Sequence, residues 1–272
     1  MARVSGEVTM ANPRADRVRG VAALTRASVR ARRGQFLVEG PQAVREAVRF
    51  APETVRDVYL TVAAAQRYPE ITDDATTAGL YTHLCSPDVL VAMSQDAQGV
   101  LAVARPTAAT AEDLLAADRQ SRLLAALSQV RDPGNAGTVV RAADAAGADG
   151  VLLSAGSVDV HNPKVVRSTA GSLFHLPVAT DVDLAEVAHA ARDRGLQVLA
   201  ADGGGTTDLY QADLARPTLW VFGNEAHGLG TAGRELADAV VRIPIHGRAE
   251  SLNLAMAATV CLYSSARAQR AG

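Results

Sequence analysis

Three loops of the sequence collect polar side chains and glycines of the kinds that bind a ligand and assist a transfer reaction. In the first loop, Asn135, Gly137 and Arg141 follow a Pro-Gly turn. Asn135 can cap the helix that starts after it, and Gly137 lets another backbone approach closely. Arg141 lies about 1.7 turns further along, so both side chains can border one cleft without sharing a helix face. The competing interpretation is an ordinary capped helix with a surface arginine.

The second and third loops also follow apolar strands. In the second, a strand runs into Gly223, and Gly228 closes a short polar stretch. These glycines would expose backbone N–H and C=O groups that suit the polar edges of a nucleoside. In the third, Ile243 ends a strand, and Ser251 or Asn253 begins the last helix, where side chains and the helix N-terminus offer hydrogen-bond donors to one ligand. Plain strand-to-helix turns and a capping serine are the alternatives.

Two other candidate sites are excluded by context. The stretch from Gly228 to Gly233 matches the G-x-G-x-x-G pattern of dinucleotide-binding proteins, but residues 224–227 separate it from the preceding strand. The following strand also lacks the terminal acidic residue that would bind a ribose, so we expect no NAD site. The histidines show no metal-ligand spacing, and Cys85 and Cys261 are too few and too distant for a metal site, so we expect no metal.

The elements that position these loops alternate between strands and helices. Residues 121–272 contain nearly continuous apolar strands separated by helical stretches, which predicts a parallel sheet covered on both faces. In such sheets ligands bind at the carboxyl ends of the strands, where all three loops lie. Residues 13–105 predict a smaller α/β domain that begins with a basic helix over about 14–33, ended by Gly34. Residues 106–120 are interpreted as a linker or connecting helix.

Composition describes a globular chain whose charge is unevenly distributed. Hydrophobic residues make up 48% and charged residues 21% of the 272 residues, and no apolar run is long enough to span a membrane. The first residues lack the apolar segment of a signal peptide, so the expected location is the cytoplasm. Residues 1–33 carry a net charge of +6 and the remainder carries −8. Either a polyanion contact or a solvated arginine-rich helix face would explain the basic end.

In this order and spacing, the three loops resemble the SpoU/TrmH family of RNA ribose 2′-O-methyltransferases, which belongs to the SPOUT superfamily. The first family motif, N-x-G-x-x-x-R, is matched by Asn135, Gly137 and Arg141. The second, an apolar strand into G-x-E-x-x-G, is matched by Gly223, Glu225 and Gly228. The third, I-P followed by S-L-N, is matched by Ile243, Pro244, Ser251, Leu252 and Asn253.

The resemblance extends over most of the chain. Residues 162–168 and 171–174 also look like the family's stretch between its first and second motifs. Residues 36–40 and 98–100 resemble the ribosomal-protein-like substrate-binding domain that many members carry. The family therefore implies a trefoil knot in the C-terminal domain, an exception to the rule that chains avoid knots. It also implies S-adenosyl-L-methionine (SAM) held in a bent conformation, and an obligate homodimer with its sites beside the subunit interface.

The resemblance also implies a role for each site residue. Arg141 would be the central catalytic residue, with Glu225 bracing the motif loops. The residues implied to position the hydroxyl or Arg141 are Asn135, Ser251 and Asn253. The residues whose backbone groups would hold the cofactor are Gly223, Ile243 and Leu252.

The same resemblance gives the basic residues a substrate. Arg167 is a candidate phosphate contact, and the basic N-terminal helix would make sequence-independent phosphate contacts with structured RNA. The residues predicted for that contact are Arg26, Arg30, Arg32 and Arg33. The appended domain favours ribosomal RNA, most simply 23S rRNA, over tRNA. The alternative is a non-catalytic RNA-binding assembly factor with a vestigial cofactor site, against which the intact motifs argue; a housekeeping and an antibiotic-resistance role both stay open.

Overall fold

The computed structural model describes residues 7–107, 109–224 and 227–271. Its strands are β1 (Phe36–Glu39), β2 (Val55–Thr61), β3 (Tyr81–Cys85), β4 (Val100–Ala104), β5 (Leu123–Leu127), β6 (Gly150–Ser154), β7 (Val178–Val182), β8 (Gln197–Ala201), β9 (Thr207–Asp208), β10 (Thr218–Phe222) and β11 (Ala239–Arg242). Its α-helices are α1 (Asp16–Ala22), α2 (Ala27–Arg33), α3 (Pro41–Phe50), α4 (Val62–Arg67), α5 (Pro69–Thr77), α6 (Pro87–Met93), α7 (Ala111–Leu114), α8 (Pro133–Ala146), α9 (Pro163–Ser168), α10 (Leu184–Asp193), α11 (Gly230–Glu235) and α12 (Leu254–Ala271).

The described chain divides into two compact units. Unit 1 comprises the described residues up to 107 together with the segment 159–175, and unit 2 comprises the described residues of 108–158 and 176–271. The sequence-based boundaries assign 159–175 to the C-terminal domain, so the structure differs there. Within unit 1, helix α9 of this segment packs against β1. The segment also supplies ion-pair partners to that unit, which explains why it belongs there.

Unit 1 is built on a four-stranded mixed sheet. The strand order is β1-β4-β2-β3, with β4 antiparallel to both neighbours and β2 parallel to β3. Val18, Leu37, Tyr59 and Leu101 belong to one buried cluster that joins α1 to the sheet. This arrangement is the small α/β domain that the sequence predicts.

The predicted basic helix over about 14–33 is wrong as a single element. The structure has α1, a 3₁₀ turn over Ala23–Thr25, and then α2. Arg26 is extended, with φ −89° and ψ 129°, so the helix breaks before it. The Thr25 hydroxyl donates to the carbonyl of Ala22 at 2.9 Å, an example of a side chain that competes with helical backbone bonding. Gly34 ends α2 at φ 58°, as predicted.

Unit 2 is built on a seven-stranded sheet in which every described strand pair is parallel. The strand order is β7-β6-β5-β10-β8-β11-β9. The central strand β10 is fully buried, and its Trp220 donates a hydrogen bond to the Ser265 hydroxyl of α12 at 2.9 Å. The predicted parallel sheet is confirmed, whereas the two-residue strand β9 was not predicted.

Among the described residues, no helix has the length and apolarity needed to cross a lipid bilayer.

Cys85 and Cys261 are buried, free thiols. Burial raises the pKa of Cys85 to about 11 and that of Cys261 to about 12. Both thiols stay protonated near neutral pH and pack as small apolar side chains.

Candidate active site at the ends of the parallel strands

The first loop leaves β5 and enters α8. Asp132 is the N-cap of this helix, because its carboxylate accepts the backbone N–H of Asn135 at 2.7 Å. Pro133 occupies the first helical position, where a backbone N–H would have no partner within the helix, so its absence from proline costs no hydrogen bond. The prediction that Asn135 caps the helix is therefore wrong. Its side chain lies one turn inside α8 and is available to another element.

That other element is the start of α12. The side-chain amide of Asn253 donates to Oδ1 of Asn135 at 3.0 Å. Oδ1 of Asn253 accepts the backbone N–H of Ala255 at 2.9 Å, so Asn253 also caps α12. The first and third loops thus meet through one pair of side chains, as the predicted site requires. Ser251 and Leu252 precede the helix and are exposed.

The second loop leaves β10, which lies beside β5 in the sheet. Asn224 and Gly228 close it with two backbone hydrogen bonds, at 3.0 and 2.8 Å, and Gly228 has φ 63°. A Cβ on Gly223 would lie 2.6 Å from the Gly228 carbonyl oxygen and closer still to other backbone atoms of Gly228 and Leu229. Gly223 therefore lets the loop fold back on itself. Glu225, the predicted brace of this loop, lies outside the described residues.

Asn224 links the second loop to the first. Its side-chain amide donates to the carbonyl of Gln129 at 2.6 Å. Gln129 has φ 49°, in the left-handed region, and its N–H donates to the Ser154 hydroxyl at 2.8 Å. No role for Asn224 follows from the sequence alone, because an asparagine after a strand gives no sign of a partner 95 residues away. A cavity of about 990 Å³ adjoins these two loops, and its lining includes neither Ile243 nor Leu252.

The third loop remains open to solvent. Residues 245–252 are exposed, and within the described part of the chain no hydrogen bond engages their backbone groups. Ile243 is half-buried, and Leu252 is 40% exposed. The strand order puts the ends of β10, β8 and β11 side by side, so the loops after these strands border one edge of the sheet.

Arg141 lies in α8, two turns beyond the start of the helix. It is exposed, and no hydrogen bond or ion pair engages its guanidinium among the described residues. A fork of five N–H donors is therefore available to a ligand. The structure also gives no group of three or more His, Cys, Asp or Glu side chains that could hold a metal, within the residues described.

The predicted RNA contacts have different surroundings in unit 1. Arg26, Arg32 and Arg33 are exposed. Arg30 is only 6% exposed, and its guanidinium donates to Asp159 and to the carbonyls of Leu24 and Thr25. Its donors are satisfied inside the fold, so the guanidinium of Arg30 is not available for the predicted RNA contact.

Arg167 also has partners in unit 1. Its guanidinium donates to the buried carboxylate of Glu39 and forms an ion pair with Asp96 at 3.0 Å. The Ser94 hydroxyl donates to the other oxygen of Glu39. The side chain of Arg167 is 31% exposed, so a phosphate would have to compete with two carboxylates for it. This arrangement favours a structural role for Arg167 over the predicted phosphate contact.

Comparison with known proteins identifies two family domains in the chain. Residues 122–263 match the model of the SpoU rRNA Methylase family, and residues 37–109 match that of the RNA 2′-O ribose methyltransferase substrate-binding domain. The chain is 32% identical over 241 residues to the 23S rRNA (guanosine-2′-O-)-methyltransferase RlmB of Bordetella pertussis, covering 87% of this chain and 98% of that protein.

Similar agreement is found with a second enzyme and with a solved structure. The 23S rRNA (guanosine(2553)-2′-O)-methyltransferase RlmP of Bacillus subtilis (strain 168) is 33% identical over 236 residues, 86% of this chain and 89% of that protein. The crystal structure of the SpoU methyltransferase AviRb from Streptomyces viridochromogenes, in complex with the cofactor AdoMet, superposes with a TM-score of 0.80 at 32% identity, covering 95% of this chain and 100% of that chain. The chain is a member of the SpoU rRNA methylase family.

Proposed function

We propose that this protein transfers a methyl group from SAM to a ribose 2′-OH of RNA, and that its substrate is 23S rRNA. The observation that carries the proposal is the hydrogen bond between Asn135 and Asn253, which joins the first and third family motifs beside the loop of the second. The methylase family match over 122–263 and the substrate-binding match over 37–109 supply the reaction and the substrate class.

The loops after β8, β10 and β11 fit SAM as the cofactor. Residues 245–252 offer backbone donors and acceptors that have no partner in the described chain, and Gly223 and Gly228 give the neighbouring loop two positions without a side chain. Ile243 and Leu252 add apolar surface beside those polar groups. Such a mixture suits a ligand with a flat base, a ribose and an amino-acid end. SAM, when bound, supplies a methyl group made reactive by a positively charged sulfur.

The protein's own contribution is to align the ribose hydroxyl and to support the loss of its proton. A neutral hydroxyl is a weak nucleophile, so alignment and proton removal both lower the barrier. Arg141 stays protonated, because the pKa of a guanidinium is above about 12, and it is therefore no general base. It instead donates hydrogen bonds to an RNA phosphate or to the ribose oxygen. A phosphate oxygen or a water molecule takes the proton.

The other predicted site residues position these groups. Asn135 and Asn253 fix the starts of α8 and α12 relative to each other. Ser251 precedes Asn253 by two residues and has an exposed hydroxyl that can contact the ribose. Glu225 would brace the second loop.

A homodimer with a trefoil knot in unit 2 is part of the proposal, as is a cytoplasmic location. Support for the dimer comes from an exposed apolar row at the start of α12, formed by Leu252, Met256 and Tyr263. Met256 and Tyr263 are seven residues apart in α12 and therefore lie on one helix face, and Leu252 directly precedes the helix. Exposed fractions of 40%, 63% and 50% are high for such side chains, so a second subunit would remove this surface from water.

The proposal is tested by methyl transfer from tritium-labelled SAM. The acceptors are total rRNA and total tRNA from a strain that lacks the protein, and the labelled nucleotide is then mapped. Label in the 23S fraction, absent when the same RNA comes from the parent strain, is the expected result. Label confined to tRNA would change the substrate, and SAM binding without any transfer would favour the assembly-factor alternative.

A further inference from the structure

We infer that unit 1 binds RNA in a groove at the amino-terminal ends of β2 and β3; the inference rests on the function proposed above. The groove, of about 1160 Å³, is lined by Arg56, Tyr81 and Arg105, and α1 forms one wall through Arg17 and Gly20. We call it the arginine groove. It lies at the opposite end of β2 from Thr61, and of the predicted RNA contacts its lining includes Arg33 but neither Arg26 nor Arg32.

The floor of the arginine groove is a hydrogen-bonded network that neutralises its acidic residue. Asp57, whose side chain is 12% exposed, accepts from Arg17 Nη2 at 2.6 Å and lies 3.0 Å from Nε2 of His83. Nε of Arg17 donates to the buried Tyr59 hydroxyl at 3.0 Å. Arg17 is thus committed to Asp57, and the network holds the floor in one geometry.

Two arginines remain for a ligand. The side chain of Arg56 is 54% exposed, and its Nε forms a long ion pair of 3.6 Å with Oδ2 of Asp57, whose Oδ1 accepts from Arg17. Arg105 is exposed, and no partner engages its guanidinium within the described ranges. Four arginines in all line the groove against Asp16 and Asp57. This excess of positive charge matches the phosphate backbone of RNA.

An aromatic side chain gives the groove a second means of binding. Tyr81 begins the edge strand β3 and is 74% exposed, an unusual position for so large an apolar surface. An exposed ring beside guanidinium groups is the arrangement on which unpaired bases stack. The structure therefore favours single-stranded or looped RNA over a duplex, whose bases are already stacked.

The arginines are tested with full-length protein and unmodified 23S rRNA transcribed in vitro. The Arg56→Gln/Arg105→Gln variant should flatten the slope of log affinity against log salt by about 1.4 to 1.8, or about 0.7 to 0.9 for each lost phosphate contact. The control is Arg67→Gln/Arg194→Gln, which removes the same charge at exposed positions outside the groove. Its slope should match that of the wild type. SAM affinity, measured by calorimetry, should be unchanged in both.

Tyr81 is tested separately, because stacking responds differently to salt. Tyr81→Ala should weaken RNA binding by roughly fivefold to a hundredfold with an unchanged salt slope, and Tyr81→Phe should restore the affinity. An alanine variant with wild-type affinity would overturn the assignment of a base to this ring.

The outcomes separate this inference from the proposed function. If the wild type binds and methylates the RNA but the groove variant keeps its salt slope, the groove is not the RNA site and the proposed function stands. A groove that serves an acidic protein partner would give that same result. If the wild type neither binds nor methylates rRNA, the proposed function fails, and the groove inference fails with it.

Discussion

Single residues of the candidate site differ in how much their side chains contribute to the stability of the fold. Asn253 uses its amide oxygen to cap α12 and its amide nitrogen to bond Asn135. Gly223 is required by the backbone of its own loop. Arg141 is exposed and has no partner among the described residues, so the fold gains little from its side chain. Substitutions at these three positions should therefore separate chemistry from stability.

Arg141→Ala should abolish methyl transfer while leaving the unfolding temperature and the SAM affinity unchanged. Arg141→Lys should restore little activity, because an ammonium keeps the charge but lacks the planar fork of donors. Arg194→Ala, a change at another exposed arginine, should keep wild-type activity. If Arg141→Ala keeps more than about a tenth of the activity, the barrier has risen by less than roughly 1.4 kcal/mol, and the catalytic role of Arg141 is excluded.

Gly223→Val should weaken SAM binding, and Gly223→Ala should do so as well. The sequence suggests that a side chain here would intrude on the ligand, but the structure gives another reason. The added Cβ meets the backbone of Gly228 and Leu229, so the loop must open. Gly20→Ala is the control, since Gly20 lies in α1 of unit 1 and a Cβ there meets only the flexible end of the Arg33 side chain. Calorimetric titration should show lost affinity in the Gly223 variants alone; equal affinity in all proteins would place the cofactor elsewhere.

At the scale of elements, the starts of the two site helices show what local signals can predict. Asp132 and Asn135 are both good N-cap residues, and only Pro133, a favoured first helical residue, distinguishes them. That signal was present in the sequence, so the start of α8 was predictable. The pairing of Asn135 with Asn253, 118 residues later, had no local signal and was predictable only through the family motifs.

Asn253→Asp should separate the two roles of this residue. Aspartate keeps the oxygen that caps α12 but loses the amide donor to Asn135, so stability should change little while methyl transfer falls at least tenfold. Asn253→Ala should also cost about 1 kcal/mol of unfolding free energy through loss of the cap. Urea unfolding and methyl transfer are measured on both variants. Full activity in Asn253→Asp would show that the link between α8 and α12 has no part in the reaction.

The pairing of two arginines with carboxylates far away in the chain could not be predicted from the sequence. Arg30 and Arg167 resemble surface residues in the sequence, but each meets a carboxylate about 130 residues away, Asp159 and Glu39 respectively. The helix break at Arg26 further supplies Arg30 with the free carbonyls of Leu24 and Thr25. The count of charged residues predicted that the N-terminal end is basic, but it did not predict which guanidinium groups stay exposed.

The segment 159–175 should make the stability of unit 1 sensitive to acid. Burial, only partly offset by Asp159, lowers the pKa of His161, whose ring packs 4.6 Å from that of Phe36. Above the unfolded pKa, about 6.5, both states keep the ring neutral. Below it the unfolded chain binds a proton that the folded chain does not, so the free energy of unfolding falls as the pH falls toward the folded pKa.

His161→Phe should remove that loss while keeping the ring packing. The unfolding temperature of the variant relative to wild type should therefore rise as the pH is lowered from about 7.5 to about 5. His189→Gln is the control, because the side chain of His189 is 80% exposed. A difference between variant and wild type that stays constant with pH would show that His161 does not titrate differently in the two states.

At the scale of the whole molecule, the order of strands and helices was predictable and the grouping of segments was not. Alternation of apolar strands with helices predicted the parallel sheet of unit 2, since each covered strand needs a nearly continuous apolar run. Nothing in the run of residues marks 159–175 as part of unit 1, because its apolar and charged residues fit either unit. Its partners, which include Arg30, Phe36 and Glu39, reveal where it packs.

This grouping means that no single cut in the gene yields unit 1 intact. A fragment ending at residue 107 would leave Arg30 and Glu39 as charged groups without their counterions and would uncover Phe36. A second fragment, in which a glycine-serine linker joins residue 107 directly to 159–175, should unfold at a higher temperature. A stable unit 1 should therefore require two separate stretches of coding sequence, the residues up to 107 and the segment 159–175.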